Sequence, residues 1–300
     1  MTPGPTRDTR EGQVYNDLRN LARRDGRDPA EYFTLYGLEG FLVRLAASDL
    51  ASDFVLKGGV LMAAFAARRP TRDIDLATAG FPNNVTEVEE RIRAVIARPA
   101  DDGLSFESGS LTSEAIRDHA EYTGVRVKVL ARLAQARIPL HVDVNFGDPI
   151  WPAPTDATIP LLLGGTLRLR GYPDHMVLAE KIVTALDRGE QNTRWRDFVD
   201  VVALTSSRYI DYSEQRAAID VVAHHRQVVL QSLHPLSVTM PELAQRKWEI
   251  WRRKQRLHST TPERFAELFA RYLGFAEPVL DRSADGAHWN PSRQVWELDR

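Results

Sequence analysis

Two aspartates one residue apart, Asp73 and Asp75, close the stretch 54–76, FVLKGGVLMAAFAARRPTRDIDL. On a strand, the side-chain period of two puts both carboxylates on one face and Ile74 and Leu76 on the other. Adjacent carboxylates repel, and a hard cation relieves the repulsion. Mg²⁺ suits such a pair, because it usually binds through one or two carboxylates plus substrate phosphates. Upstream, the apolar run Phe54-Val55-Leu56 ends at Lys57, and Gly58-Gly59 follow. Glycines at a helix start can present bare backbone N–H groups to a phosphate. The pattern predicts a strand, a glycine turn, a helix over 60–67, the basic turn Arg68-Arg69-Pro70-Thr71-Arg72 and a second strand. Lys57, Gly58 and Gly59 would then cradle phosphates beside a metal platform. The plain alternative, a glycine turn before a solvated strand end, leaves two carboxylates in an apolar element unexplained.

The glycine turn followed by Asp-x-Asp resembles the nucleotidyltransferase superfamily. More closely, KGG followed by RPTRDIDL resembles the AbiEii-type toxins, the nucleotidyltransferase halves of type IV-like toxin–antitoxin pairs, to which the MenT toxins belong. The resemblance spans about residues 32–204 and is strongest at these first two motifs. It implies an α+β fold: a nucleotidyltransferase-like mixed β-sheet core with flanking helices, and a helical C-terminal domain. It also implies Mg²⁺, as two ions, an NTP co-substrate, and transfer of NMP to an RNA 3′ end. The tRNA acceptor stem is the acceptor implied, with arrest of translation as the consequence and a separately encoded antitoxin as partner. The enzyme alternative is transfer to a small molecule or a protein side chain. The alternative from another class is a non-catalytic nucleotide-binding protein on the same fold.

The same resemblance assigns further residues. In 138–146, IPLHVDVNF, Leu140, Val142, Val144 and Phe146 share one strand face, and His141, Asp143 and Asn145 the other. Asp143 is the third acid the family takes from the strand beside Asp-x-Asp. It would hold a metal with Asp73 and Asp75, or accept the proton of the attacking hydroxyl. An ordinary surface aspartate is the alternative there, and Asp148 reads as a turn residue. LAEKIVTAL, 178–186, matches the third family motif, in which a lysine, here Lys181, reaches the nucleotide phosphates. Arg194-Trp195-Arg196-Asp197-Phe198-Val199-Asp200 matches the fourth, with Arg196 where lysine is common. Asp197 is the functional acid of that motif, orienting Lys181 or the second substrate. Asp200 reads as a structural partner of Arg194 or Arg196. Thr71, two residues before Asp73, is a candidate phosphorylation site whose phosphate would compete for the metal.

The remaining elements must position these groups. A polar leader precedes one helix over 13–24, and another after Pro29 carries Leu35, Leu38, Phe41, Leu42 and Leu45 at helical spacing. A turn at 81–84 leads to a helix over 85–97. From 104 to 133 the pattern is that of strands, with Val125, Val127 and Val129 on one face and Arg126 and Lys128 on the other, read as a solvated face. The Pro- and Gly-rich stretch 149–165 suggests domains of 1–155 and 156–300, with a short strand over 167–169 between them. Asp174 is the expected N-cap of the Lys181 helix. Three helices fill 212–274, and an irregular tail follows 281. Within the third part, 245–256 holds six bases against Glu249, a local net charge of +5, with Trp248 and Trp251 interleaved. That composition suits RNA phosphates and base stacking, and equally an amphipathic helix with inward tryptophans. His224-His225 lacks metal-ligand spacing.

Bulk composition limits the rest. The 300 residues are 43% hydrophobic, enough for a sizeable core. There is no cysteine, which removes disulfides, thiolate zinc sites and cysteine nucleophiles and is compatible with a cytoplasmic protein. No apolar run reaches membrane-span length and no signal peptide is expected. A net charge of −2 means that any nucleic-acid binding rests on a local basic patch. A calcium loop is excluded, since no Asp-rich loop with a closing Glu follows Asp75.

Overall fold

A computed structural model describes residues 4–65, 71–78, 80–118 and 121–298. Ala66, Ala67 and the Arg68-Arg69-Pro70 part of the expected basic turn lie outside the described residues. The chain gathers into two compact units, Met1–Asp148 with Thr155–Tyr172, and Pro149–Pro154 with Pro173–Arg300.

The first unit is built on a seven-stranded mixed sheet. In chain order its strands are β1 (Phe54–Lys57), β2 (Asp73–Thr78), β3 (Leu104–Asp118), β4 (Glu121–Leu133), β5 (Ala136–Asn145), β6 (Thr155–Pro160) and β7 (Thr166–Gly171). Their spatial order is β3-β4-β5-β2-β1-β7-β6. β2 lies parallel to β5 and antiparallel to β1, so the two strands flanking the Asp-x-Asp strand come from distant parts of the chain. The alternation read in the sequence decides the core face. Ile74, Leu76, Val125, Val127, Val142 and Val144 are all essentially inaccessible.

Helices α1 (Arg10–Arg24), α2 (Pro29–Ala46) and α4 (Val85–Ile96) belong to this unit. Each begins at a side-chain cap: Thr9, Asp28 and Asn84 accept backbone N–H bonds in the first turn, satisfying donors that a helix start leaves open. The apolar stripe of α2, from Leu35 to Leu45, is buried as its spacing predicts. α2 packs on β5. At Gly37 a Cβ would stand 3.2 Å from the side chains of Ile138 and Leu140, so the missing side chain permits the close approach. Arg44 is buried and forks onto Asp102, with Nη2 at 3.1 Å from Oδ1, while its other donors bond the carbonyls of Gly40, Arg98 and Leu104. After β1 the helix begins two residues earlier than the sequence suggests and is α-helical for a single turn among the described residues. It comprises α3 (Gly58–Leu61) and a 3₁₀ turn over Met62–Phe65.

The second unit holds α5 (Asp174–Arg188), α6 (Trp195–Thr205), α7 (Tyr212–His225), α8 (Leu236–Gln255) and α9 (Phe265–Leu280). Its core is aromatic. Phe198 meets Phe265, Phe269 and Tyr272 edge to face at ring separations of 5.6, 5.7 and 4.9 Å, the arrangement ring quadrupoles favour. The tail expected to be irregular instead forms a hairpin, β9 (Ala287–Asn290) and β10 (Val295–Leu298). It joins the two-residue β8 (Ile210–Asp211) in a three-stranded sheet. Trp289 anchors it: the indole is 2% exposed and donates to the Thr205 carbonyl at 2.6 Å. Asp174, expected to cap α5, is instead its first residue, with Pro173 at the cap position. The Asp174 carboxylate accepts from the His175 backbone and from Arg208.

Candidate functional site

The sheet register lines up charge across four adjacent strands. Lys57 on β1 is paired with Asp75 on β2, Asp75 with Asp143 on β5, and Asp143 with Arg126 on β4. Residues directly opposite one another in a ladder project from the same face. The row therefore reads cation, anion, anion, cation. One step along, Asp73 is paired with His141 and His141 with Lys128.

Asp73, Asp75 and Asp143 converge. One carboxylate oxygen from each lies within 4.8 Å of the others. Asp143 is buried and the other two are half-buried. Ligand oxygens on one Mg²⁺, at 2.0–2.1 Å from the ion, stand at most about 4.2 Å apart. The observed spread exceeds that by about half an ångström, a distance side-chain rotation covers. The donor set is all oxygen, the kind a hard divalent ion takes. The group therefore fits such an ion.

Gly58 makes room for this group. Its φ is +68°, a conformation glycine adopts without strain, and a Cβ built there would fall 1.9 Å from Asp75 Oδ2. The glycine turn and the Asp-x-Asp pair are thus one packing unit: the missing side chain of Gly58 is where the Asp75 carboxylate rests. Lys57 takes the helix-cap position of α3 with no side-chain bond to the cap.

Two partners differ from the sequence reading, those of Arg126 and Asp148, while Lys128 stays on a solvated face. Arg126, taken as part of a solvated face, forks onto Asp143: Nε donates to Oδ1 at 2.7 Å and Nη2 to Oδ2 at 2.6 Å. The Asp143 hydrogen bonds hold the guanidinium firmly protonated against the opposing effect of burial, and the charges of Asp143, Asp73 and Glu114 add to them. Lys128, on the same face, pairs with Glu114 at 2.8 Å. Asp148, read as a turn residue, accepts from Lys57 Nζ at 2.6 Å, and the Lys57 ammonium also lies 5.2 Å from the Tyr172 ring centroid. Face assignment was available from the strand period; the partner was not, because it depends on a register set by distant strands. Thr71 is buried, its Oγ1 3.4 Å from an Asp73 carboxylate oxygen.

In the second unit, α5 and α6 bring together Lys181, Asp197 and Asp200. Lys181 Nζ donates to Asp197 Oδ1 at 2.9 Å and to Asp200 Oδ2 at 2.8 Å. All three side chains are at most 12% exposed. Asp200, expected beside Arg194 or Arg196, is thus a partner of Lys181. Burial, with Asp197 and Glu277 nearby, pushes the Tyr272 hydroxyl far above its ordinary range, so it stays neutral.

The basic segment lies in α8. Trp248 is fully buried, donates its indole N–H to the Glu263 carbonyl at 3.0 Å and stacks on Trp251 at 5.5 Å. It is a core residue and does not offer its ring to a base. Arg252 is also committed, bonding Thr261 and the His258 carbonyl. Arg246, Lys247, Arg253, Lys254 and Arg256 are exposed. His224 and His225 are exposed at the end of α7. Among the described residues, no helix is long and apolar enough to cross a membrane.

Comparison with known proteins gives the family. The family described as "Nucleotidyl transferase AbiEii toxin, Type IV TA system" matches residues 40–287. The chain belongs to this family of nucleotidyltransferase toxins. Membership implies use of an NTP and a divalent metal, and an antitoxin partner. No curated protein matches the chain. Among solved structures it is similar to a candidate nucleotidyltransferase from H. pylori, at 14% identity and TM-score 0.47, covering 90% of this chain and 95% of that one. It is similar to JHP933 from Helicobacter pylori at 12% identity and TM-score 0.45, over 90% and 92% of the two chains. An antigenic nucleotidyltransferase-like protein from Paracoccidioides brasiliensis follows at 15% identity and TM-score 0.38, over 65% and 89%.

Proposed function

We propose that this protein transfers NMP from an NTP to the 3′ end of an RNA, the tRNA acceptor stem above others, and so blocks translation. The observation that carries the reading is the convergence of Asp73, Asp75 and Asp143 beside a glycine turn shaped to admit Asp75. In the reaction, the RNA hydroxyl oxygen bonds to the α-phosphorus while the bond to the β-phosphate oxygen breaks. Pyrophosphate leaves, and the hydroxyl proton passes to a carboxylate of the group or to water. Asp73, Asp75 and Asp143 would hold Mg²⁺, as two ions, and the metal would supply Lewis-acid stabilisation of developing charge. The backbone N–H groups of Gly58 and Gly59 would contact the phosphates, and Lys57, held against Asp148, would add positive charge at the same turn. Lys181 and Asp197 are the functional pair proposed within the second unit, where Asp197 fixes the ammonium through the 2.9 Å bond. The exposed bases of α8 support an RNA acceptor by supplying phosphate contacts. An antitoxin would silence the activity in the cytoplasm.

The test is incubation with total tRNA, Mg²⁺ and each α-³²P-labelled NTP in turn, beside an Asp73→Ala control. Label entering the tRNA band from one NTP, and absent with the variant, is the expected result. Label in protein or a small-molecule fraction instead would move the acceptor. No transfer and no NTP binding would overturn the reading.

A further inference from the structure

Arg126 has no role in the reaction as written, yet it forks onto one of the three carboxylates. Both oxygens of the buried Asp143 carboxylate accept from its guanidinium, at 2.7 and 2.6 Å. This is the bidentate, charge-assisted geometry that makes arginine–carboxylate pairs strong. Asp143 is 9% exposed and the arginine 37% exposed, so the acid is fixed while the cation reaches solvent. The pairing is written into the register, since Arg126 and Asp143 are opposite one another on antiparallel strands. Without a cation here, the three carboxylates would face one another with oxygens inside 4.8 Å.

We infer that Arg126 is the resident counter-ion of the carboxylate group and competes with the divalent cation for Asp143. This deepens the proposed function and rests on its metal-site reading. In the metal-free protein the guanidinium offsets the charge of Asp143 and holds that carboxylate in place. Loading a divalent ion requires Asp143 to share or give up those bonds, so free metal binds more weakly than three carboxylates alone would bind it. A metal arriving with a triphosphate brings anionic oxygens of its own and meets the competition better. Arg126 thereby couples metal loading to nucleotide arrival. The alternative role, an arginine that orients Asp143 for the metal, has the opposite sign: its removal would weaken binding.

The experiment is a Mn²⁺ titration of the full chain, read by the EPR signal of free Mn²⁺, with wild type, Arg126→Met, Arg126→Lys and Asp75→Asn. An opposite charge this close shifts a carboxylate's affinity for a proton by about 10- to 1000-fold. Arg126→Met should accordingly bind Mn²⁺ at least about tenfold more tightly than wild type. Arg126→Lys, which keeps the charge but loses the fork, should fall between them. Without metal, Arg126→Met should melt below wild type, and saturating Mn²⁺ should close the gap. If Arg126→Met does not fold, tighter binding by Arg126→Lys carries the test. Equal or weaker Mn²⁺ binding by the folded arginine variants, with wild type binding and Asp75→Asn not, overturns the counter-ion role and leaves the metal site standing. Binding by neither wild type nor the arginine variants overturns the metal site itself, and the inference with it.

Discussion

Replacing Gly58 with alanine separates backbone strain from the placement of Asp75. Two costs are expected. First, alanine at φ +68° takes on the left-handed penalty, about 1–2 kcal/mol. Second, the new Cβ would stand 1.9 Å from Asp75 Oδ2 and 2.6 Å from its Cγ. Ordinary carbon–oxygen contacts fall near 3.3–3.6 Å, so the carboxylate must retreat by about 1.5 Å. A rotamer change can move the oxygens, but the new Cβ would also stand 2.8 Å from Asp75 Cβ, which rotation leaves in place, so the backbone must shift and the second cost falls on both the site and stability. Metal–ligand distances tolerate only about 0.2 Å, and a misplacement of 1 Å can cost about 100-fold in rate. Gly26 provides the control, since it has φ +63° and open space where a Cβ would go. Gly26→Ala should lower the melting temperature by about 2–8 °C and leave Mn²⁺ binding intact. Gly58→Ala should lower it further, lose Mn²⁺ binding and drop nucleotide transfer at least about 100-fold. The assays are differential scanning fluorimetry, Mn²⁺ titration and transfer of labelled NMP. Wild-type Mn²⁺ affinity in a folded Gly58→Ala protein would refute the packing of Asp75 against this glycine.

Further expectations concern the second unit. Lys181→Met leaves the buried Asp197 and Asp200 without their shared ammonium and should cost about 3–5 kcal/mol, measured by urea denaturation; a variant as stable as wild type would show that the ion cluster is not structural. Trp248→Ala should cost about 3–5 kcal/mol by the same method, because the indole is fully buried and hydrogen-bonded. Arg253→Glu with Lys254→Glu, both exposed, should leave stability unchanged but weaken tRNA binding and flatten its salt dependence in filter assays. At Asp174, burial raises the carboxyl's pKa, yet hydrogen bonds and charge from His175 and Arg208 outweigh it and hold the group below the ordinary aspartate value. A lowered folded value stabilises above the unfolded value and fades as pH falls through the folded one. Asp174→Asn should therefore melt below wild type at neutral pH and converge with it in acid; a gap constant with pH would contradict this.

The local pattern of the sequence carried the faces of the sheet but not its partnerships. The alternation in 73–76 and 138–146 placed Ile74, Leu76, Leu140, Val142 and Val144 in the core and Asp73, Asp75 and Asp143 opposite, because the strand period is a local property. The link between Gly58 and Asp75 depends on β1 lying antiparallel to β2, and the Arg126–Asp143 fork on β4 lying beside β5. Those registers are long-range, so Arg126 could be assigned to a face but not to a carboxylate. The same limit hid the Lys57–Asp148 pair across 91 residues of chain. β6 escaped notice because Pro160 and its polar outward positions resemble a linker, and only Ala157 and Ile159 are buried. The tail misled for a similar reason. Trp289 and Trp296 lie among polar residues, and their contacts with Phe275 at 5.1 and 5.2 Å come from α9. Trp248 shows the converse: composition left a nucleic-acid surface and an inward-packed ring equally open, and the fold buries the ring.

The central claim is that one group of carboxylates holds the metal that activates the nucleotide. Its most direct measurement is a crystal soaked with Mn²⁺ and an NTP analogue whose α–β bridge cannot be cleaved, examined by anomalous scattering. The expected result is anomalous density between Asp73, Asp75 and Asp143, with the triphosphate beside Gly58 and Gly59. A nucleotide bound elsewhere, or anomalous density away from these three residues, would contradict the account.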